Sequence, residues 1–222
     1  MDNKSAFNVN GYDANVRKVI PFYDEIYEQI FSLIKTYCED KPLSVLDTGC
    51  GTGTFGLKAL KRLNISQLVL CDPSKRMLAD AEKKLSGYPC EFILTGSENL
   101  TFENKFDAVT AIQSHHYFDK PTKEKAVKNC YNALKPGGIF IYFENTAPFS
   151  GTGKDIMLKH LEAYELEAGR VPEEVKSHSA RYNREFFPIS IGEHFELLNK
   201  TGFRASELLW HSYMQSGFYA VK

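Results

Sequence analysis

A glycine-rich break between a buried strand and an amphipathic helix constrains this chain most. Residues 43–56 read LSVLDTGCGTGTFG. The apolar run Leu43-Ser44-Val45-Leu46 reads as a buried strand. It breaks into Asp47-Thr48-Gly49-Cys50-Gly51-Thr52-Gly53. Phe55, Leu57, Leu60 and Leu63 then fall on one helical face. Strand, glycine turn and helix in that order build the nucleotide-binding entry of an α/β fold. The glycines leave a bare backbone that can lie against a ligand. The acid that closes the strand suits a cationic or hydroxyl-bearing ligand better than a bare phosphate.

A second apolar run, Leu68-Val69-Leu70-Cys71, ends in Asp72, 19 residues past Gly53. An acid at this spacing, on the tip of the second strand, can accept both hydroxyls of a ribose. Cys90 to Thr95 and Phe106 to Ile112 read as the third and fourth strands, and Ile139 to Phe143 as the fifth. Ser206 to Tyr213 and Ser216 to Val221 read as two strands joined tightly. Helices are expected from Pro21, with Tyr23, Ile26, Tyr27, Ile30, Ile34 and Tyr37 in helical spacing, from Ser74 to Gly87, from Pro121, over about four turns around Ile156 to Ala168, and from Ser190 to Gly202.

The segments VLDTGCGTG, LVLCDPSKRML, FDAVTAIQSHHYF and LKPGGIFIYFE follow one another over roughly residues 43 to 145. In that order they resemble the class I S-adenosylmethionine-dependent methyltransferases. The resemblance implies a Rossmann-like, doubly wound α/β fold. Its seven-stranded sheet would be mostly parallel, with an antiparallel C-terminal edge hairpin. It also implies S-adenosylmethionine as cofactor, held by Asp47, Gly49, Gly51, Gly53, Asp72, Pro73 and Met77, with Gln113 beside the methyl group. The family often has an aspartate after the third strand that accepts from the adenine amino group. Here Gly96 or Ser97 holds that place, so the adenine contact passes to the backbone or to Glu98. The N-terminal run YDANVRKVIPFYDEIYEQI is similar to the small-molecule and tRNA-uridine-modifying branches. That makes Tyr12, Arg17 and Tyr23 candidates to face the ligand.

The fourth strand runs into Gln113-Ser114-His115-His116-Tyr117. Strand ends that carry a ligand share one sheet edge in such folds. His115 and His116 are therefore the candidate catalytic residues, because imidazole accepts a proton near neutral pH. Two adjacent histidines with no third ligand nearby do not make a zinc spacing, so no metal is expected. Glu144, at the end of the fifth strand, is a candidate for binding a substrate amine or a cation. Residues 148–189 are longer than a crossover needs and form a lid-like insertion. It gathers His178, Arg181 and Arg184, and arginine suits a carboxylate or phosphate clamped through two hydrogen bonds.

The sulfonium methyl of the expected cofactor is already activated, so the protein mainly aligns donor and acceptor. The expected activity is methyl transfer to an acceptor, most simply a small molecule. Two other activities stay open. Gly51-x-Gly53-x-x-Gly56 matches a dinucleotide fingerprint, although it starts four residues after Asp47 rather than in the first turn, and Asp47 would repel a pyrophosphate. A non-catalytic S-adenosylmethionine-binding regulatory protein is the other. The net charge of −1 and the absence of a basic run argue against a nucleic-acid partner. A local basic patch for tRNA would belong in the 148–189 insertion.

With 222 residues and 43% hydrophobic composition, the chain suits a single domain over 1–222, with an N-terminal cap helix within 1–40. Five scattered cysteines form no CxxC pair and suit a reduced, cytoplasmic protein. The polar N-terminus carries no signal peptide, and no apolar run reaches about 18 residues, so no membrane span is expected. Oligomeric state stays open.

Overall fold

The structure, a computed structural model, describes residues 11–222. The expectation of a mobile or partly ordered cap over the first 19 residues therefore lies partly outside the described residues. Seven strands form one sheet: β1 (Leu43–Thr48), β2 (Ile65–Asp72), β3 (Cys90–Leu94), β4 (Phe106–Ile112), β5 (Leu134–Asn145), β6 (Ala205–Ser212) and β7 (Gln215–Val221). Their order is β3-β2-β1-β4-β5-β7-β6. The first five strands run parallel. β7 pairs antiparallel with β5, and β6 antiparallel with β7. This is the doubly wound sheet and edge hairpin expected from the sequence.

The central strands are apolar because both faces are covered. Val45, Leu46, Val69, Leu70, Val109, Phe140 and Ile141 are fully buried. One face packs against α2 (Tyr23–Cys38), α3 (Thr54–Arg62) and α4 (Lys75–Lys84) through Ile30, Phe55, Ala59 and Ala81. The other packs against α5 (Lys120–Ala133) and α8 (Ile191–Thr201) through Val127, Cys130, Leu197 and Leu198. Caps set several of these ends. Ser74 accepts from the Met77 amide, Asp119 from that of Thr122, and Ser190 forms a capping box with Glu193. Gly202 closes α8 at φ +108°, in the left-handed region.

Two expectations are corrected. Pro21 does not open α2. It lies in a turn, and Phe22 at φ +57° precedes the first helical residue, Tyr23. The segment Lys135-Pro136-Gly137-Gly138 does not merely end α5. It belongs to β5, where the register against β4 shifts between Phe106 and Ala108. Gly137, at φ +78°, supplies the irregular backbone.

The 148–189 insertion is built from two helices, α6 (Gly151–Glu167) and α7 (Pro172–Ser179). A buried ion cluster ties them together. Glu165, only 1% exposed, accepts from Arg170 and sits 2.6 Å from His178 Nδ1. α6 also rests on the N-terminal segment and the β6–β7 turn. Tyr164 donates its hydroxyl to the Arg17 carbonyl at 2.6 Å, and His160 stacks on Tyr213.

Candidate cofactor and acceptor site

Strand order reverses between β1 and β4, where the crossovers turn to opposite sides of the sheet, and a crevice opens at the carboxyl edge. A cavity of about 390 Å³ occupies it. Asp47 from β1, Asp72 from β2 and Ile112 from β4 form its floor. Pro73, Met77, Gly96, Ser97, Glu98 and Gln113 line its sides, and Tyr12, Tyr23 and Tyr27 stand over it. Asp13, in the short helix α1 (Tyr12–Asn15), straps this N-terminal segment to the glycine turn. It accepts from the Thr52 hydroxyl at 2.7 Å and from Lys84 at 2.6 Å.

The glycine turn is shaped for a ligand. Gly49 has φ +64°, and a Cβ there would come within 2.4 Å of Ser114 Cβ. Gly51 has φ +54°, and a Cβ there would meet nothing within 4 Å. Asp72 holds the turn open by accepting from the amides of Gly51 and Ser74, each at 2.8 Å. Asp47 accepts from the Thr110 hydroxyl at 2.7 Å, while its second oxygen is buried with no hydrogen-bond partner. Burial, with the charge of Asp72 adding to it, pushes the Asp47 carboxyl up to about 7 against the pull of Thr110.

Three carboxylates line this cavity, and among the described residues no Lys, Arg or His does. Such a lining is electrostatically wrong for a pyrophosphate. It suits a ligand with positive charge and ribose hydroxyls, so the residues present fit S-adenosylmethionine.

A second, smaller cavity shares Tyr12, Gln113 and Tyr117 with the first. His116, Asn145, His178, Arg181, Phe186 and Gln215 complete its polar and aromatic wall. His116 is buried, with Nδ1 3.3 Å from Glu144 Oε2. Burial depresses the His116 pKa despite that carboxylate, so its ring is neutral at pH 7. Burial would raise Glu144, but the N–H of neighbouring His116 and the charge of Lys123 more than offset it and hold it ionised. Gln113 sits at φ +55° and donates its amide N–H to the Phe143 carbonyl at 2.7 Å. Its side chain joins an amide chain through Gln215 to Asn145.

Residues 45–138 match the family model described as a methyltransferase domain. That match covers the cofactor cavity's glycine turn, its two strand-end acids and Gln113 together. The chain belongs to the class I S-adenosylmethionine-dependent methyltransferases. It is 27% identical over 226 residues to the carboxy-S-adenosyl-L-methionine synthase of Trichodesmium erythraeum, covering 98% of this chain and 88% of that protein. The synthase of the same name from Staphylococcus epidermidis is 26% identical, over 99% of this chain and 96% of its own. The malonyl-[acyl-carrier protein] O-methyltransferase of Halalkalibacterium halodurans is 31% identical over 59% of this chain and 46% of that one. Among solved structures, the magnesium protoporphyrin IX methyltransferase of Synechocystis, crystallised with S-adenosylhomocysteine, shares the fold. Its TM-score is 0.66 at 14% identity, over 93% of this chain and 86% of that one.

In this methyltransferase the expected site residues divide. Asp47, Gly49, Gly51, Asp72, Pro73, Met77, Gly96, Ser97, Glu98, Gln113, Tyr12 and Tyr23 all border the cofactor cavity. Gly53 does not. It caps α3 at φ +76°, and a Cβ there would lie 3.0 Å from that of Ala81, so it serves the turn and the packing. His115 borders neither cavity. Its Nε2 lies 2.9 Å from the Ser97 hydroxyl, its amide donates to Glu144, and its carbonyl accepts from buried Lys123. Glu144 is fully buried behind the histidines rather than presented to a ligand. His178 and Arg181 border the second cavity, whereas Arg184 is exposed and outside both. Arg17 also faces outward, paired with Asp24 at 2.7 Å.

The two cavities are also lined by residues that sequence reasoning passed over. Thr52, Thr54 and Tyr27 border the cofactor cavity, and Gln215 borders the second one. The threonines lie inside the glycine motif, so their position was visible although their role was not. Gln215 gave no local signal. It reaches Gln113 only because β7 pairs Gln215 with Asn145. Among the described residues no group of three or more His, Cys, Asp or Glu is placed to hold a metal ion. Nor, among the described residues, is any helix long and apolar enough to cross a membrane.

Proposed function

We propose that this methyltransferase transfers the methyl group of S-adenosylmethionine to a small acceptor held in the second cavity, with His116 as general base. The observation that carries this is the pairing of His116 with Glu144 at the wall of a cavity that shares Tyr12, Gln113 and Tyr117 with the cofactor cavity. When bound, the cofactor supplies a methyl group on a positively charged sulfur. The chain's residues do the rest. Glu144 faces Nδ1 of His116, which puts the proton there and leaves Nε2 to accept one. The neutral ring can take the acceptor's proton, and Glu144 stabilises the imidazolium that results. Holding two reactants in line can contribute about 7 kcal/mol or more.

Arg181 and His178 are the candidate contacts for an anionic group on the acceptor, and the 148–189 helices act as a lid over it. Arg184, being exposed, is left out of that role. A small acceptor is favoured over tRNA by the net charge of −1 and by the small size of the second cavity. Five free thiols favour a reducing compartment, the cytoplasm. The test is to incubate the protein with S-adenosylmethionine and a metabolite panel and read both partners by mass spectrometry. S-adenosylhomocysteine together with a methylated acceptor is the expected result. Binding with no turnover on any acceptor would favour a regulatory binder.

A second activity has its own support. Relatives named carboxy-S-adenosyl-L-methionine synthase match nearly the whole chain. Arg181 beside the cofactor cavity could then hold a carboxyl group destined for the cofactor itself. The same spectra separate the two, because this activity adds a carboxyl group to S-adenosylmethionine and leaves no methylated acceptor.

A further inference from the structure

The cofactor cavity is acidic, and its acids differ in how they are satisfied. Asp72 spends its carboxylate on the backbone of the glycine turn and α4. Asp47, one of the residues that line the cavity, is 1% exposed, takes the Thr110 hydroxyl on one oxygen, and leaves its second oxygen buried without a hydrogen-bond partner. A buried carboxylate with an unmet acceptor is costly unless a cation or donor reaches it. Among the described residues no side chain supplies one. The groups that face Asp47 are Asp72 and Cys71 on β2, Cys50 in the glycine turn, Tyr27 on α2 and the Thr110 hydroxyl on β4. The cavity wall adds Tyr12, Tyr23 and Glu98, again without a cation.

We propose that Asp47 is the residue by which the cavity tells the cationic methyl donor from its neutral thioether product. The donor holds Asp47 as a carboxylate, and Asp47 takes a proton from water once the positive charge has left. This rests on the cofactor assignment above. Donor and product share an ammonium and a carboxylate, and they differ by the sulfonium charge. In methyl transfer the carbon–sulfur bond breaks with its electron pair left on sulfur, and the acceptor gains the methyl. Asp47 then faces only Asp72 and low-polarity surroundings, and protonation removes that repulsion. The product loses its charge partner at the moment it should leave.

The proposal predicts opposite pH behaviour for the two ligands. Burial places the free Asp47 carboxyl at about 7, so below that pH donor binding must expel a proton. Calorimetric titrations between about pH 5.5 and 7.5 keep the ligands' ammonium groups mostly charged. Across that window donor affinity should rise roughly 20- to 30-fold, and product affinity less than about threefold. Repeating the donor titration near pH 6 in buffers of different ionisation enthalpy should report roughly one proton released, and the product far fewer. Asp47→Asn, which keeps the bond from Thr110, should flatten the donor's dependence. If that variant does not fold, the two wild-type titrations still decide. Parallel slopes for donor and product would place Asp47 on a group they share and overturn the proposal, as would two flat profiles. Failure of both ligands to bind would instead overturn the cofactor assignment.

Discussion

At the scale of single residues, Asp72 orders the glycine turn through Gly51, and in the proposed cofactor site it also accepts from the ribose hydroxyls. Charge-assisted hydrogen bonds contribute roughly 1.5–3 kcal/mol each. Asp72→Ala should therefore weaken S-adenosylmethionine binding by about tenfold to a hundredfold, read by calorimetry, while Asp72→Asn keeps an acceptor for the turn and loses less. Unchanged affinity in the alanine variant would remove Asp72 from the ribose site. His116 makes a different prediction, because it borders the acceptor cavity and not the cofactor cavity. His116→Gln should lower kcat by about 10²- to 10⁴-fold and leave donor affinity unchanged. A variant that keeps its turnover would exclude His116 as the base. Asp72 was legible because its spacing from the glycines is set by one strand and one helix. The split between His115 and His116 was not, since it depends on Ser97, Glu144 and Lys123, which come from three other elements.

At the scale of elements, the 148–189 insertion is a helical pair with its own buried ion cluster. Removing one partner of a buried pair costs about 3–5 kcal/mol, because the other charge stays desolvated. Glu165→Ala should cost about 3 kcal/mol in denaturant unfolding, at the low end because Glu174 remains 3.6 Å from Arg170. A cost near zero would mean that α6 and α7 hold together without this cluster. If the pair is a lid, hydrogen exchange in α6 and α7 should be fast in the free protein and slow with cofactor and acceptor both bound. Exchange as slow as in β4 in the free protein would make it a static part of the core. Arg181→Ala should raise the acceptor KM or lower kcat/KM by an amount equivalent to about 2–5 kcal/mol. Donor affinity should hardly change, and exposed Arg184→Ala should do nothing. The body of α6 was readable from its helical spacing, whereas its first turn lies in the glycine-rich Gly151-Thr152-Gly153, capped by Ser150, and α7 is too short and polar to announce itself.

At the scale of the whole molecule, the buried titratable groups set an acid limit on stability. Burial drives His115 down to about 4 and His194 to about 3, and it lowers His116 as well. In the unfolded chain each would titrate near 6.5. Between about pH 4 and 6.5 the unfolded chain thus binds more protons at His115 and His194, and below 6.5 His116 adds to this in the same direction, so stability rises with pH there. Asp47 works the other way, because its folded value of about 7 lies above the unfolded one. Three histidines against one carboxyl leave a net of up to two protons, each worth about 1.4 kcal/mol per pH unit. Thermal unfolding should be nearly flat above pH 7 and fall steadily from about 6.5 toward 4. A midpoint independent of pH over that range would mean that these histidines are not buried neutral. The sequence by itself determined the fold class, the strand order of motifs, the hairpin edge and most of the cofactor cavity. Those features follow from local periodicity, from glycines and from acids at strand tips, which act over a few tens of residues. Only the tertiary structure decided which histidine borders the second cavity, that Glu144 is buried behind it, and that Gln215 meets Gln113. Each depends on contacts between residues far apart in the chain, and the sheet's pairing register, not any local pattern, brings Gln215 beside Asn145 and so within reach of Gln113.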